Sequence, residues 1–158
     1  MNAITAITGR IGGIVARELL AAKQSIRAVV RDASKGKTWA TLGCEVAIAN
    51  MSDTASLAST FRDTEGVFIL LPPVFDPQPG FPESRALISG VQAALAMAKP
   101  PKVVCLSTIG AQAKHLNLLS QLSLLEQELG DVSPITFLRP SWFMDNAAWD
   151  VAPPRTVE

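Results

Sequence analysis

Residues 4–13 read Ile4-Thr5-Ala6-Ile7-Thr8-Gly9-Arg10-Ile11-Gly12-Gly13, a short apolar run that passes through closely spaced glycines into a helical pattern. Glycine lets the backbone turn tightly. The free amide N–H groups at the start of the following helix can then face an anion, where the helix dipole also favours negative charge. The stretch therefore reads as a phosphate cradle. Counted in threes it is Ala6-x-x-Gly9-x-x-Gly12, the dinucleotide-binding fingerprint with alanine in the place of its first glycine.

Outward from this turn, strand-like and helix-like patterns alternate. A first strand is predicted over 3–7, after which Ile11, Ile14, Val15 and Leu19 recur at helical spacing to about Ala22. A second strand over 26–30 leads into Arg31-Asp32 and a short helical piece carrying Lys35, Lys37, Trp39 and Leu42, closed by Gly43. The third strand is predicted over 44–49, and Ser52 or Asp53 can cap a helix holding Leu57 and Phe61. Residues 67–71 form a continuous apolar run, as expected of a central strand buried on both faces. The proline-rich stretch 72–82 is a loop, and Pro82 suits the first turn of a helix with Leu87, Ile88, Val91 and Leu95 on its buried stripe. A fifth strand follows over 102–106. A helix from about Leu116 to Leu129 then buries Leu118, Leu122, Leu125 and Leu129, and 135–138 gives a sixth strand. Residues 139–146 are irregular and aromatic, and 151–158 carry no structural signal. This pattern predicts an α/β fold in one domain over 1–150 with an unstructured tail over 151–158. Its doubly wound parallel sheet has helices on both faces in the Rossmann-like order 3-2-1-4-5-6.

Composition narrows the function. With 158 residues the chain is long enough to bury a core without staples. Its 14 basic and 14 acidic residues leave no net field to draw in nucleic acid or an anionic membrane. No apolar run approaches the roughly 18 residues of a membrane span, and no signal-type leader is present, so a soluble cytoplasmic protein is expected. Cys44 and Cys105 lie in strand-like runs four strand positions apart, about 19 Å at roughly 4.8 Å per strand, too far for a bridge. They read as buried thiols in a reducing compartment. The chain has no tyrosine, so a phenolic acid is excluded, and His115 is its sole histidine. No metal-ligand cluster and no Gly-x-Ser-x-Gly elbow occurs.

In such a sheet, ligands bind beyond the carboxyl ends of the strands where the order reverses. Five segments meet there: Thr8, Gly9, Arg10, Ile11 and Gly12 after the first strand, 31–37 after the second, Asn50-Met51 after the third, 71–74 after the fourth, and Ser107-Thr108 after the fifth. They suit a dinucleotide, with amides for the diphosphate, Arg31 and Lys35 for a ribose phosphate, Asn50 for the adenine edge, and Leu71 and Pro72 under a ring. An arginine at the end of the second strand can bond a 2′-phosphate that an acidic residue would repel, which favours NADP(H) over NAD(H). Asp32 would take the ribose instead if the strand ended one residue later. Ser107 and Thr108 either bond a nicotinamide ribose or substrate carbonyl, or simply end the strand. His115 reads as a neighbour of a helix cap.

These residues resemble the NmrA-like branch of the atypical short-chain dehydrogenases/reductases, a group that includes NADPH-dependent quinone reductases and redox-sensing regulators. The resemblance rests on 4–13, on Arg27-Ala28-Val29-Val30-Arg31-Asp32, and on 67–73, 103–111 and 124–129. Most specific is Thr136-Phe137-Leu138-Arg139-Pro140-Ser141-Trp142-Phe143-Met144-Asp145-Asn146. It implies a Rossmann domain holding NADP(H) through Thr8, Gly9, Arg10, Ile11 and Gly12, with Arg31 on the 2′-phosphate. Three features depart from the family pattern. Ala6 replaces the first glycine, Asn50 stands where aspartate is common, and the chain ends soon after Asn146 where family members continue into a C-terminal substrate lobe. The helix that carries Tyr-x-x-x-Lys in related dehydrogenases has Leu118, Ser120, Gln121 and Ser123 here.

The expected function is thus an NADP(H)-binding oxidoreductase-type domain that passes hydride to a small acceptor such as a quinone, with no catalytic side chain assigned and no metal. The alternative is a non-catalytic NADP(H) sensor or partner-binding module, with Trp142, Phe143, Met144 and Trp149 as a homodimer or partner surface.

Overall fold

A computed structural model describes residues 1–117, 119–132 and 134–149. Six parallel strands form one sheet in the order β3-β2-β1-β4-β5-β6. They are β1 (Asn2–Ile4), β2 (Ile26–Val30), β3 (Glu45–Ile48), β4 (Gly66–Ile69), β5 (Val103–Leu106) and β6 (Ile135–Leu138). The helices between them are α1 (Arg10–Ala21), α2 (Ala33–Thr41), α3 (Thr54–Phe61), α4 (Pro82–Ala98) and α5 (Ser120–Leu129), and a 3₁₀ turn spans Met144–Trp149. Ala3 pairs with Arg27 on one side and Val67 on the other, which puts β1 at the point where the winding reverses. The Rossmann-like order read from the sequence is the order found.

Alternate strand residues feed two cores. Ala3, Val29, Val67, Ile69, Val103 and Cys105 pack with α3, α4 and α5, whereas Ile4, Ala28, Val30, Phe68 and Leu106 pack on the other face with α1 and α2. Both cysteines are free and buried, and they belong to opposite faces of the sheet.

The largest departures from the sequence expectation are in β1 and α5, while β4 ends at Ile69 rather than at residue 71. The first strand ends at Ile4 rather than at residue 7. Thr5 turns its hydroxyl inward, donating to the Phe68 carbonyl at 3.0 Å and accepting from the Leu70 N–H at 3.0 Å. That hydroxyl replaces the next backbone rung, and the chain swings away at Ala6 with φ 50°. The fifth helix starts at Ser120, not near Leu116. Asn117 Oδ1 accepts from the Leu119 N–H and Ser120 Oγ from the Asn117 N–H, local bonds that compete with helix formation. Leu116 is exposed accordingly, while Leu118 lies outside the described residues.

The two possible caps of α3 resolve to Asp53, whose carboxylate accepts from the Ala55 and Ser56 N–H groups at 3.1 Å. Pro82 opens α4 as expected. Trp142, Phe143 and Met144 are exposed. The side chain of Trp149 and residues 151–158 lie outside the described part. Among the described residues, no helix is long and apolar enough to cross a membrane.

Candidate functional site

Because all six strands run parallel, the segments after β1 to β5 emerge at one end of the sheet. The turn after β1 is the most constrained of them. Gly9 is the N-cap of α1 in an extended conformation, with no side chain capping the first turn. The Gly9 N–H donates to the Ala6 carbonyl at 2.9 Å. A Cβ built on Gly12 would stand 2.4 Å from that same oxygen, so only glycine lets α1 start pressed against the turn. Thr8 and Arg10 are exposed, and Ile11 is half-buried against the α1/α2 core. Ala6 adopts the left-handed conformation that a first glycine would take without strain.

At the end of β2 the alternatives separate. The strand stops at Val30, so Arg31 is the first residue beyond it and is exposed. Asp32 is the N-cap of α2, its carboxylate accepting from the Ser34 N–H at 2.8 Å. That bond is the main reason its pKa lies below the ordinary value, with the nearby Lys35 charge a smaller contribution.

The remaining predicted residues differ in how far they face the crevice. Asn50 is exposed, and its Oδ1 accepts from the Ser52 N–H at 3.3 Å. Met51 is half-buried against the α3/α4/α5 core, Leu71 is part of that core, and Pro72 is exposed beside it. Thr108 donates to the Ile109 carbonyl. Ser107 is buried at the tip of β5, and its hydroxyl donates to Glu126 Oε1 of α5 at 2.5 Å. Arg139, just past β6, closes on both oxygens of the same carboxylate, with Nε at 2.8 Å from Oε1 and a second nitrogen on Oε2. The Arg139 guanidinium holds Glu126 below its ordinary pKa, and Ser107 adds to the effect against partial burial. His115 is exposed, its carbonyl accepting from the Asn117 amide. Among the described residues no group of three or more His, Cys, Asp or Glu could hold a metal.

A cavity of about 640 Å³ opens at this end of the sheet. Thr8, Gly9, Arg10 and Lys35 line it together with Arg17, Thr38 and Trp39, which were not among the predicted site residues. Arg31, Ile11, Gly12, Asn50, Met51, Leu71, Pro72, Ser107 and Thr108 lie outside its lining. Two further polar groups were not among the predicted site residues. Glu126 is one, and buried Gln121 is the other, with its Oε1 accepting from the Ser84 hydroxyl at 3.1 Å and the Val74 N–H at 3.4 Å. Gln121 thereby fastens the proline-rich loop to α5, at one of the positions that replace Tyr-x-x-x-Lys.

The uncapped first turn of α1 and the basic cavity rim fit the diphosphate and phosphate groups of a dinucleotide. A family model described as NAD(P)H-binding matches residues 7–153. The chain belongs to that family. An NADPH-dependent quinone oxidoreductase from Escherichia coli, solved with NADPH, matches at 25% identity and TM-score 0.81 over 95% of this chain and 52% of its own. The Citrobacter sp. triphenylmethane reductase, solved with NADP(H), matches at 26% identity and TM-score 0.78 over 91% of this chain and 50% of its own. A nucleoside-diphosphate-sugar epimerase from Staphylococcus aureus shares the fold, with TM-score 0.78 at 16% identity. The chain spans about half the length of these solved structures. None of the curated protein sequences matches it.

Proposed function

We propose that the domain binds NADP(H) in preference to NAD(H) and serves an NADPH-dependent reductase of the NmrA-like branch, with a quinone or similar small molecule as acceptor. The observation that carries this reading is Arg31 at the first position past β2, with the neighbouring Asp32 carboxylate turned to the helix cap. A carboxylate bonded to its own helix is poorly placed to read the ribose hydroxyls, and an arginine there favours a 2′-phosphate. The acceptor class rests on the named activities of the quinone and triphenylmethane reductases and on the motifs at 103–111 and 136–146.

When bound, NADPH supplies the hydride. The chain's own residues hold and orient. The first-turn amides of α1 after Thr8 and Gly9, with Arg10, Ile11 and Gly12, receive the diphosphate. Arg31 and Lys35 meet the 2′-phosphate, Asn50 and Met51 the adenine, Leu71 and Pro72 the wall of the crevice. Ser107 and Thr108 address the nicotinamide end. The Ser107 proton is already given to Glu126, so that hydroxyl offers a ligand its lone pairs and donates no proton.

The donation of the Ser107 hydroxyl to Glu126 favours a second reading, a cofactor sensor without turnover. No tyrosine is present, and the Ser123 hydroxyl on α5 donates to the Ala111 carbonyl, so neither serine is poised as an acid. Calorimetric titration with NADPH and NADH tests the shared part: NADPH should bind at least about tenfold more tightly, and Arg31→Glu should abolish that preference. Binding of neither nucleotide at about millimolar concentration would sink both readings. NADPH oxidation with a panel of quinones separates the reductase from the sensor.

A further inference from the structure

We infer that Arg17, seated on Trp39 in the cleft between α1 and α2, is a further determinant of NADP(H) selectivity, reading the phosphomonoester on the adenosine ribose; this rests on the nucleotide reading above. The cleft is lined by the glycine turn, by Gly13, Ile14 and Arg17 of α1, and by Lys35, Thr38 and Trp39 of α2. Arg10, Arg17 and Lys35 line it, and among the described residues no carboxylate does. Arg17 and Lys35 together place positive charge at one cavity, which favours a dianion. Asp32, close enough to Lys35 to feel its charge, is turned to the Ser34 N–H.

The side chain of Arg17 is held for this task. Its guanidinium carbon lies 5.3 Å from the centre of the Trp39 ring, and one terminal nitrogen donates to the Gly13 carbonyl at 3.3 Å. Trp39 is 5% exposed, so the core fixes the platform under the arginine. Gly13 makes room for both, since a Cβ there would stand 3.3 Å from the Arg17 Nη1 and 3.7 Å from the Trp39 ring. A guanidinium carries five donors in a planar fork. One of them is used at Gly13, which leaves the other donors of the fork able to bond phosphate oxygens. Nicotinamide nucleotides without the 2′-phosphate gain nothing from this arrangement, so Arg17 contributes to discrimination and not to general affinity.

Titration of the wild-type chain, Arg17→Ala and Arg17→Lys against NADPH, NADH, adenosine 2′,5′-bisphosphate and AMP tests the assignment. Arg17→Ala should lose about tenfold in affinity for NADPH and the bisphosphate while NADH and AMP change less than about twofold, with Arg17→Lys between. Equal losses across all four ligands, or no loss for the phosphorylated pair, overturns the assignment. Competition by inorganic phosphate alone, without any contribution from the adenosine, also overturns it in favour of a free-anion site. If wild type binds none of the four, the nucleotide reading itself fails, and this inference falls with it. Should Arg17→Ala fold poorly, Trp39→Phe keeps the core filled while weakening the stack, and a selective loss of about twofold to threefold for the phosphorylated ligands is expected.

Discussion

The carbonyl oxygen of Ala6 is the surface on which Gly12 packs: a Cβ at Gly12 would lie 2.4 Å from it and 2.9 Å from the Thr5 carbonyl oxygen. Real Cβ atoms do not approach backbone that closely, so the start of α1 and the turn before it are fitted to one another by the missing side chain. Gly12→Ala should therefore push α1 away from the turn, destabilising the domain by about 1–3 kcal/mol. It should also weaken NADPH binding by about tenfold or more, because the first-turn amides lose their placement. Urea unfolding and calorimetry on the same variant check both, and unaltered stability would show that the turn yields more readily than its packing indicates.

Ala6 presents the opposite case, a side chain where the backbone is left-handed, with φ 50°. For an alanine that conformation costs roughly 1–2 kcal/mol, part of which glycine gives back through its more flexible unfolded chain. Ala6→Gly is expected to raise stability by about 0.5–1 kcal/mol and to tighten NADPH binding if the turn cradles the diphosphate. Thermal unfolding with and without NADPH separates the two effects. A gain in melting temperature with no change in affinity would mean that the turn is relieved of strain but is not a cofactor contact.

How far the sequence carried differs between elements for physical reasons. β2 and β6 fell at their observed limits because their apolar residues and strand formers are bounded by Ser25 and Arg31 and by Pro134 and Arg139. The early end of β1 was hidden because Thr5 is a good strand former, and only the structure shows its hydroxyl bonding Phe68 and Leu70 across the sheet. The late start of α5 was hidden by Leu116 and Leu118, whose helical spacing outweighed the local bonding of Asn117 and Ser120. Arg17, Thr38 and Trp39 could not be picked out for a deeper reason. They sit on two helices, and only the packing of α1 beside α2 brings them to one cavity. Trp39 also fills a core position, so nothing in its periodicity marks it as a platform.

Both thiols should be inert in the native state. Cys105 is fully buried, and burial pushes its thiol up to about 12, while burial also raises Cys44. At about pH 8 the thiolate fraction of Cys105 is of order 10⁻⁴, far below that of a free cysteine. A colorimetric thiol reagent should find no reactive group in the folded protein and two after denaturation. Rapid labelling of either residue in the folded chain would mean that the sheet opens locally.

The Ser107–Glu126–Arg139 network makes stability depend on pH in a defined direction. Hydrogen bonding to Arg139 holds the folded pKa of Glu126 below its ordinary value of 4.5. A carboxylate whose pKa is depressed on folding contributes stability that is fully present above 4.5 and is lost as pH falls through the lower folded value, because the unfolded chain then binds the proton more readily. Glu126→Gln removes that contribution and leaves Arg139, which is half exposed, to be solvated by water. The expected loss is about 1–2 kcal/mol near pH 7, nearer to a partly buried charge-assisted bond than to a fully buried ion pair. Acidification to about pH 3 should destabilise the wild type more than the variant, so the difference between them narrows. Urea unfolding of both proteins across this range decides the matter, and a gap that stays constant with pH would show that Glu126 acts through its shape and hydrogen bonds alone.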